Sequence, residues 1–153
     1  MVDLKQLRLF LLESNKAGYA GGEEKKWIKN ADGSTTIPFE SGNWRMADNF
    51  FGGEPYGGRI IVSFDGKPVW MMVYYGWVEQ GVTPSVGYDV LRSALMEMPE
   101  EAPFRGPKQI EKDGCVYENG WQGNVARYSG EEKITQNGKQ IYTARYMGGL
   151  VDQ

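Results

Sequence analysis

Two stretches of the chain, YGGRIIVSFDGKPVWMMVYYG at residues 56–76 and YSGEEKITQNGKQIYTARYMG at residues 128–148, align without a gap at a constant offset of 72. Six positions are identical in the two stretches: Tyr56/Tyr128, Gly58/Gly130, Gly66/Gly138, Lys67/Lys139, Tyr74/Tyr146 and Gly76/Gly148. Asp or Asn before Gly favours a tight hairpin turn, because glycine readily adopts the positive φ that such turns require. The alignment therefore predicts a β-hairpin that occurs twice.

A helix is predicted before each hairpin. Apolar residues at helical spacing predict a first helix over 3–16, with Asp3 as its N-cap and Gly18 as its stop. The same periodicity predicts a second helix over 86–98, capped by Ser85. The order of elements is then a helix followed by strands, and this order occurs twice.

The predicted fold class is α+β, with two helices packed on one side of an antiparallel sheet or of two half-sheets. A duplicated helix-plus-hairpin unit with pseudo-twofold symmetry, covering about 3–78 and about 85–151, forms a single domain over 1–153. The apolar alternate positions of the strand at 68–77 predict that it is buried on both faces. The strands are expected at 34–39, 43–50, 58–64, 68–77, 114–118, 122–127, 131–136 and 140–147.

Composition excludes several kinds of chemistry. The 153 residues carry a net charge of -3, no histidine and one cysteine, Cys115. Without histidine there is no Ser-His-Asp triad and no imidazole metal site, and a lone, inert Cys115 suits a reducing cytoplasm. A pI near 5.1 argues against a chain that grips nucleic acid by bulk charge. We expect a cytoplasmic protein without metal, cofactor, membrane contact or direct nucleic-acid contact.

Aromatic side chains are the first candidates for a binding site, because they can stack on a flat ligand or enclose a cation. The alternative is that they fill the core and hydrogen-bond their polar ends. Both interpretations stay open for the set Trp44, Trp70, Tyr74, Trp77, Trp121, Tyr142 and Tyr146.

Charged side chains are the second group of candidates. Asp48, Glu54, Glu131 and Glu132 are candidates for a buried carboxylate that faces a cationic ligand, or for a general acid/base pair; solvated turn residues are the alternative. Arg105, in an Arg-Gly-Pro segment, would either clamp an anion or tie its loop to the sheet.

A family resemblance rests on short landmarks spread over nearly the whole chain. The sequence resembles an uncharacterised prokaryotic family, a domain of unknown function that occurs alone or C-terminal to helix-turn-helix regulators. The chain departs from the family pattern at Arg59-Ile60, where a glutamate is expected, as at Glu131-Glu132. The landmarks are Phe10-Leu11, Tyr19 to Gly22, Asp48 to Gly53, Gly66 to Met71, Tyr74 to Gly76, Arg105 to Pro107 and Tyr142 to Gly149.

The predicted architecture is also similar to the effector-binding domains of some bacterial regulators. That likeness implies a small amphipathic or aromatic ligand, often cationic, bound between two pseudo-symmetric halves. We therefore expect a sensory or small-molecule binding domain without catalysis. A protein-interaction or homodimerisation module is the alternative, and a Glu/Asp-dependent enzyme is the least supported. The predicted ligand-binding residues are Trp44, Trp70, Tyr74, Arg105, Trp121, Glu132, Tyr142 and Tyr146.

Overall fold

The structure is a computed structural model that describes residues 1–20 and 27–152. These residues form two helices and one antiparallel sheet of nine strands, in the order β1-β2-β3-β4-β5-β9-β8-β7-β6. The α+β class is confirmed, with one sheet rather than two. The elements are α1 (Leu4–Ala20), β1 (Ile28–Lys29), β2 (Thr35–Ser41), β3 (Trp44–Gly52), β4 (Tyr56–Phe64), β5 (Lys67–Val78), α2 (Pro84–Met96), β6 (Gln109–Lys112), β7 (Cys115–Asn124), β8 (Arg127–Gln136) and β9 (Lys139–Leu150).

Helix α1 begins where the sequence predicts but ends later. Oδ1 of Asp3 accepts hydrogen bonds from the backbone N–H groups of Lys5 (2.8 Å) and Gln6 (3.3 Å), which confirms the N-cap. The predicted stop at Gly18 is wrong, because the helix continues to Ala20. A glycine inside a helix costs only about 1 kcal/mol relative to alanine, which the packing of the helix outweighs. The Gly21-Gly22 part of the family landmark lies outside the described residues.

Helix α2 starts and ends two residues before its predicted bounds. The N-cap is Thr83 rather than Ser85, and Pro84 occupies the first helical position. Proline fits there because the first turn needs no N–H donor and its fixed φ is helical. The helix ends at Met96, and its buried face consists of Gly87, Val90, Leu91, Ala94 and Leu95.

Two short edge strands were missed, and one strand was placed wrongly. The sequence predicts separate strands at 114–118 and 122–127, but β7 runs unbroken over Cys115–Asn124. Gly120 and Gly123 look like chain breaks in the sequence, whereas cross-strand pairing with β8 carries β7 through both. The short strands β1 and β6 were not predicted, since two and four residues show too little alternation.

Both predicted hairpin turns are confirmed. At the β4–β5 turn, φ is 49° at Asp65 and 78° at Gly66, and at the β8–β9 turn it is 50° at Asn137 and 75° at Gly138. Positive φ at both central residues is the geometry of a type I′ turn, which matches the twist of the flanking strands. The register of each hairpin also shifts once, between residues 62 and 63 in the first and between 134 and 135 in the second.

Both helices lie on the same face of the sheet, which we call the covered face. One hydrophobic cluster packs α1 against β4 and β5 and includes Tyr146, while the other packs α2 against β7 to β9 and includes Tyr142. Tyr142 and Tyr146 alternate onto the same side of β9. The two helices also contact each other, because Nδ2 of Asn15 donates to the carbonyl of Leu95 at 2.7 Å.

The opposite side of the sheet, the open face, corrects one expectation about β5. The sequence predicts burial on both sides of this strand, but Val73 is 40% exposed and Tyr75 52%. Apolar residues at alternate positions therefore reach the solvent, because neither helix covers this side. Neither helix of the described ranges is long and apolar enough to cross a membrane.

Candidate functional site

A buried ion pair lies at the middle of the covered face. The segment 97–108, which we call the strap, connects α2 to β6 and lies outside the helices and strands. Five consecutive strap residues, 102–106, are buried, although connecting segments normally run over the surface. Arg105 of the strap places Nε 2.5 Å from Oε1 of Glu132 on β8, and their side chains are 9% and 0% exposed.

Burial of this pair has to be offset by hydrogen bonds. Removing two charges from water costs several kcal/mol per ion, and the attraction between them compensates only with good geometry and satisfied lone pairs. The second oxygen of Glu132, Oε2, accepts a hydrogen bond from the hydroxyl of Tyr117 at 2.7 Å. That hydroxyl in turn accepts from the backbone N–H of Gly106 at 3.1 Å. Burial, with the Glu132 charge nearby, raises the pKa of Tyr117, so it remains a donor.

Two further tyrosines complete one side of the pair. Nη2 of Arg105 donates to the hydroxyl of Tyr56 at 3.3 Å, and this hydroxyl shares a short hydrogen bond with that of Tyr142. Burial is the largest cause that raises the pKa of Tyr56 and of Tyr142. Both phenols therefore stay neutral, and they supply dipoles rather than charge.

An aromatic ring and a second carboxylate also lie close to the guanidinium. The Cζ atom of Arg105 lies 5.7 Å from the ring centroid of Tyr74, within the range of a cation–π contact. The Tyr74 hydroxyl donates to Oδ1 of Asp48 at 2.5 Å. Burial raises the pKa of Asp48, while the hydrogen bond from Tyr74 and the charge of Arg105 oppose the rise. Two acidic groups thus accompany one guanidinium.

A parallel set of contacts holds the far end of the strap. The Tyr146 hydroxyl donates to Oδ1 of Asn119 at 2.8 Å, and Nδ2 of Asn119 donates to the carbonyl of Gly106 at 2.8 Å. Both polar ends of the Asn119 amide are therefore used. The strap is fixed to the sheet by side chains of β7 and β9 as well as by the ion pair.

Ring stacking anchors the strap beside Arg105. The rings of Phe104 and Tyr128 are parallel within 1° at a centroid distance of 3.9 Å. Tyr128 also stacks on Trp70 at 5.7 Å, and Nε1 of Trp70 donates to the carbonyl of Val125 at 2.8 Å. The stack belongs to the hydrophobic cluster under α1, so the strap is packed into that cluster as well as into the polar network.

The structure brings together five of the eight predicted ligand-binding residues. Tyr74, Arg105, Glu132, Tyr142 and Tyr146 belong to the network around the ion pair.

The three predicted tryptophans lie outside the polar network. Trp44 stacks on Phe10 at 5.4 Å in the cluster under α1, and Trp70 is 1% exposed in the same cluster. Trp121 packs on the rim of that cluster, with Nζ of Lys108 5.7 Å from its ring. Their assignment as ligand contacts stays a prediction.

The sequence does not predict three members of the network, and it leaves the role of Asp48 open. Tyr56, Tyr117 and Asn119 were not named as site residues. Tyr56 could have been found from the sequence, because it is identical to Tyr128 at the equivalent position of the repeated hairpin. Asn119 and Tyr117 lie in a strand that the sequence divided in two, so their shared inward side could not be recognised.

The remaining acidic candidates serve other contacts. Oε1 of Glu54 accepts from the backbone N–H of Val78 at 2.7 Å, and its other oxygen accepts from the hydroxyl of Tyr88. Glu131 forms surface ion pairs with Lys133 at 2.9 Å and Arg145 at 2.8 Å. Within residues 1–20 and 27–152, no group of three or more Cys, Asp or Glu side chains is placed to hold a metal ion.

Comparison with known proteins gives a family without an assigned activity. No curated protein and no solved structure matches the chain. A family model described as a domain of unknown function, DUF5680, matches residues 48–151. The match begins at Asp48 and includes the strap and Glu132, so the whole polar network lies inside it. The chain therefore belongs to the DUF5680 family.

Proposed function

We propose that the chain is a small-molecule binding domain without catalytic activity of its own. Its ligand is a planar cation that takes the place of the Arg105 guanidinium beside Glu132. One observation carries the proposal: the fully buried Glu132 carboxylate already holds a planar cation, which is delivered by a segment outside the helices and strands.

The proposal includes a duplicated unit with pseudo-twofold symmetry, and the strand register supports it. Tyr74 and Tyr146, which are equivalent in the aligned hairpins, are direct partners in the β5–β9 pairing. The register shifts after Val62 and after Ile134 also differ by the same offset of 72. An approximate twofold axis then passes through the Tyr74–Tyr146 pair, beside the buried network.

Matching hydrogen bonds on the two sides of that axis support the same symmetry. Tyr74 donates to Asp48 on β3, and Tyr146 donates to Asn119 on β7. Asp48 and Asn119 pair with Ile60 and Glu132, which are themselves equivalent at the offset of 72. The binding site lies where the two halves meet, as in the effector-binding domains that the architecture resembles.

The chemistry of the site favours a flat cation. Glu132 accepts one N–H of the guanidinium at Oε1, while the Tyr56 hydroxyl accepts a second N–H of the same planar group, and guanidinium and amidinium groups carry N–H donors in such a fixed fork. The Tyr74 ring offers a π face to the same cation, and the Tyr56 hydroxyl offers an acceptor. A free anion would meet both Glu132 and Asp48 and is therefore disfavoured.

A ligand can reach Glu132 only if the strap moves away from the sheet. Withdrawing the strap breaks the Phe104–Tyr128 stack and the bonds to Gly106. It also breaks one backbone bond to the sheet, from the N–H of Asn119 to the carbonyl of Lys108. The ligand therefore has to repeat an aromatic contact as well as the charge. An aromatic amidine or guanidine combines both features.

The binding event itself would be a signal rather than a reaction. The resemblance to domains that follow helix-turn-helix segments suggests a transcriptional partner, in the same chain or encoded separately. In that setting the strap is the element that differs between the free and the bound domain.

Chemical rescue tests the site directly. In Arg105→Ala, the lost guanidinium leaves Glu132 without its cation, and benzamidine or methylguanidine should restore thermal stability saturably and change tryptophan fluorescence. Arg145→Ala, which removes an exposed arginine paired with Glu131, is the matched control and should show no rescue. Phenylguanidine should bind to the unaltered protein more weakly than to Arg105→Ala, because in the unaltered protein it competes with the Arg105 side chain. Failure of both rescue and direct binding would overturn the proposal.

A further inference from the structure

The open face carries an exposed aromatic side chain that leans over the neighbouring strand. Tyr75 of β5 is 52% exposed, and a side-chain carbon added at its cross-strand partner Gly57 would lie 2.9 Å from Cδ2 of the Tyr75 ring. The ring therefore leans over Gly57, and glycine leaves room for it. The ring is therefore held beside the neighbouring strand, with about half of the side chain open to solvent.

A second exposed ring lies in the same cross-strand row. Phe51 of β3 is 51% exposed and pairs with Gly57, which pairs with Tyr75. The two rings are thus two strands apart, about 10 Å at the usual strand spacing. Trp77, with its ring centroid 5.9 Å from that of Tyr75, extends the aromatic surface along β5.

Basic side chains lie on the same face as these rings, and two of them, Lys133 and Arg145, pair with Glu131. Across the described part of β4, β5, β8 and β9, the outward positions between the hairpin turns hold four cations and one carboxylate. Arg145 is the direct partner of Tyr75, and Arg59 is the direct partner of Val73. The carboxylate is Glu131, and the cations are Arg59, Arg127, Lys133 and Arg145.

We propose that this open face binds single-stranded nucleic acid, with bases stacked on Tyr75 and Phe51 and phosphates bound by the arginines around them. Exposed aromatic rings on an antiparallel sheet provide stacking platforms for unpaired bases, and flanking cations neutralise the phosphates. This site is separate from Glu132, which lies on the covered face.

The negative charge of the whole chain does not oppose such binding. Its net charge of -3 predicts no bulk attraction to nucleic acid, but at about 0.1 M salt charges more than about 10 Å apart are screened. A phosphate near Tyr75 therefore responds to the adjacent arginines rather than to acidic groups on the helices. A second copy of the chain is a poorer occupant, because two open faces in contact would bring their arginines together.

Fluorescence anisotropy with a labelled oligothymidylate about 15 nucleotides long tests the proposal at low and moderate salt. Saturable binding that weakens with salt is expected, and a duplex of the same length should bind less tightly because its bases are already stacked. Tyr75→Ala should weaken binding about tenfold, and Arg59→Ala should weaken it and lower the salt slope by about 1. Both side chains are exposed, so neither change threatens the core.

Two controls lie on α2, on the other side of the sheet: Met96→Ala at an exposed apolar residue and Arg92→Ala at an exposed arginine. Both should leave the affinity unchanged. Absence of saturable binding at low salt, or equal affinity in Tyr75→Ala, would overturn the proposal. Light scattering that shows a dimer lost in Tyr75→Ala, without oligonucleotide binding, would assign the face to self-association instead.

Discussion

Arg105 and Glu132 face each other at 2.5 Å between Nε and Oε1, with the carboxylate fully buried. Removing one member of such a pair leaves the other as an uncompensated buried charge, which costs about 3–5 kcal/mol. We predict losses of that size in unfolding free energy for Arg105→Met and for Glu132→Gln. The double variant should lose much less than the sum, because neither charge is left alone. Urea unfolding at neutral pH measures all three.

The exposed Arg145–Glu131 pair provides the control for this double-mutant cycle, that is, for the comparison of the two single variants with the double variant. The Arg145 side chain is 72% exposed and that of Glu131 33%, so solvent screens their attraction. Arg145→Met and Glu131→Gln should each change stability by at most about 1 kcal/mol. If both pairs gave equal and additive losses of unfolding free energy, burial would not be what makes the Arg105–Glu132 pair costly to break.

Tyr128 carries a buried hydroxyl that has no hydrogen-bond partner among the described residues. The equivalent hydroxyl, that of Tyr56, bonds to Tyr142, but Trp70 stands in the corresponding place beside Tyr128. Tyr128→Phe should therefore leave the unfolding free energy unchanged or raise it, because no bond is lost. Tyr117→Phe, which removes a donor from Glu132, should cost about 1–3 kcal/mol. Thermal unfolding compares the two, and a larger loss in Tyr128→Phe would reveal an overlooked partner.

The sequence predicts the hairpins well because their determinants are local. Asp65-Gly66 and Asn137-Gly138 specify the turns through backbone conformation, and both turns are observed. Asp3 likewise caps α1 through contacts two and three residues away. Such features need no knowledge of the remainder of the fold.

The site is harder to predict because its members meet through the sheet. Arg105 and Glu132 are far apart in sequence, and only the packing of the strap brings them together. Tyr117 and Asn119 were missed since their strand passes through glycines that look like breaks. The open side of β5 could not be recognised from apolar alternation, because whether a second layer covers a sheet is a property of the whole fold.

Asp48 should make stability depend on pH. Burial raises its pKa in the folded state above the unfolded value of about 3.9, so the folded protein binds the proton more tightly. The contribution is fully present below the unfolded pKa and is lost as pH rises through the folded pKa. Asp48→Asn removes the ionisable group and should be more stable than the parent at neutral pH, with the advantage disappearing in acid.

Asn119 indicates that an amide fits at this kind of position, because its Oδ1 accepts from Tyr146 as Asp48 accepts from Tyr74. Denaturant unfolding at a series of pH values compares Asp48→Asn with the unaltered protein. Glu40→Gln, at an exposed carboxylate, controls for net charge. A stability difference independent of pH would refute the role of Asp48 ionisation.

Gly130 and Tyr146 are adjacent on β8 and β9, and a side-chain carbon at Gly130 would overlap the end of the Tyr146 ring. Gly58 lies near Tyr74 in the same way, since the Tyr74 hydroxyl would lie 2.7 Å from the added carbon, but the nearest atom there is the backbone carbonyl oxygen of Asn49 at 2.5 Å. Gly130→Ala should cost about 1–3 kcal/mol, because the ring must shift and its bond to Asn119 breaks. Gly58→Ala should cost at least as much, because the backbone of β3 has to move as well as the Tyr74 side chain.

Gly120 is the matched control for these alanine variants. It also lies in the sheet, on β7, but an added side-chain carbon would meet nothing within 4 Å among the described residues. Gly120→Ala should therefore be neutral or slightly stabilising, since alanine loses less backbone entropy on folding. Chemical denaturation ranks the three variants. A loss of stability in Gly130→Ala no larger than that in Gly120→Ala would contradict the clash with the Tyr146 ring.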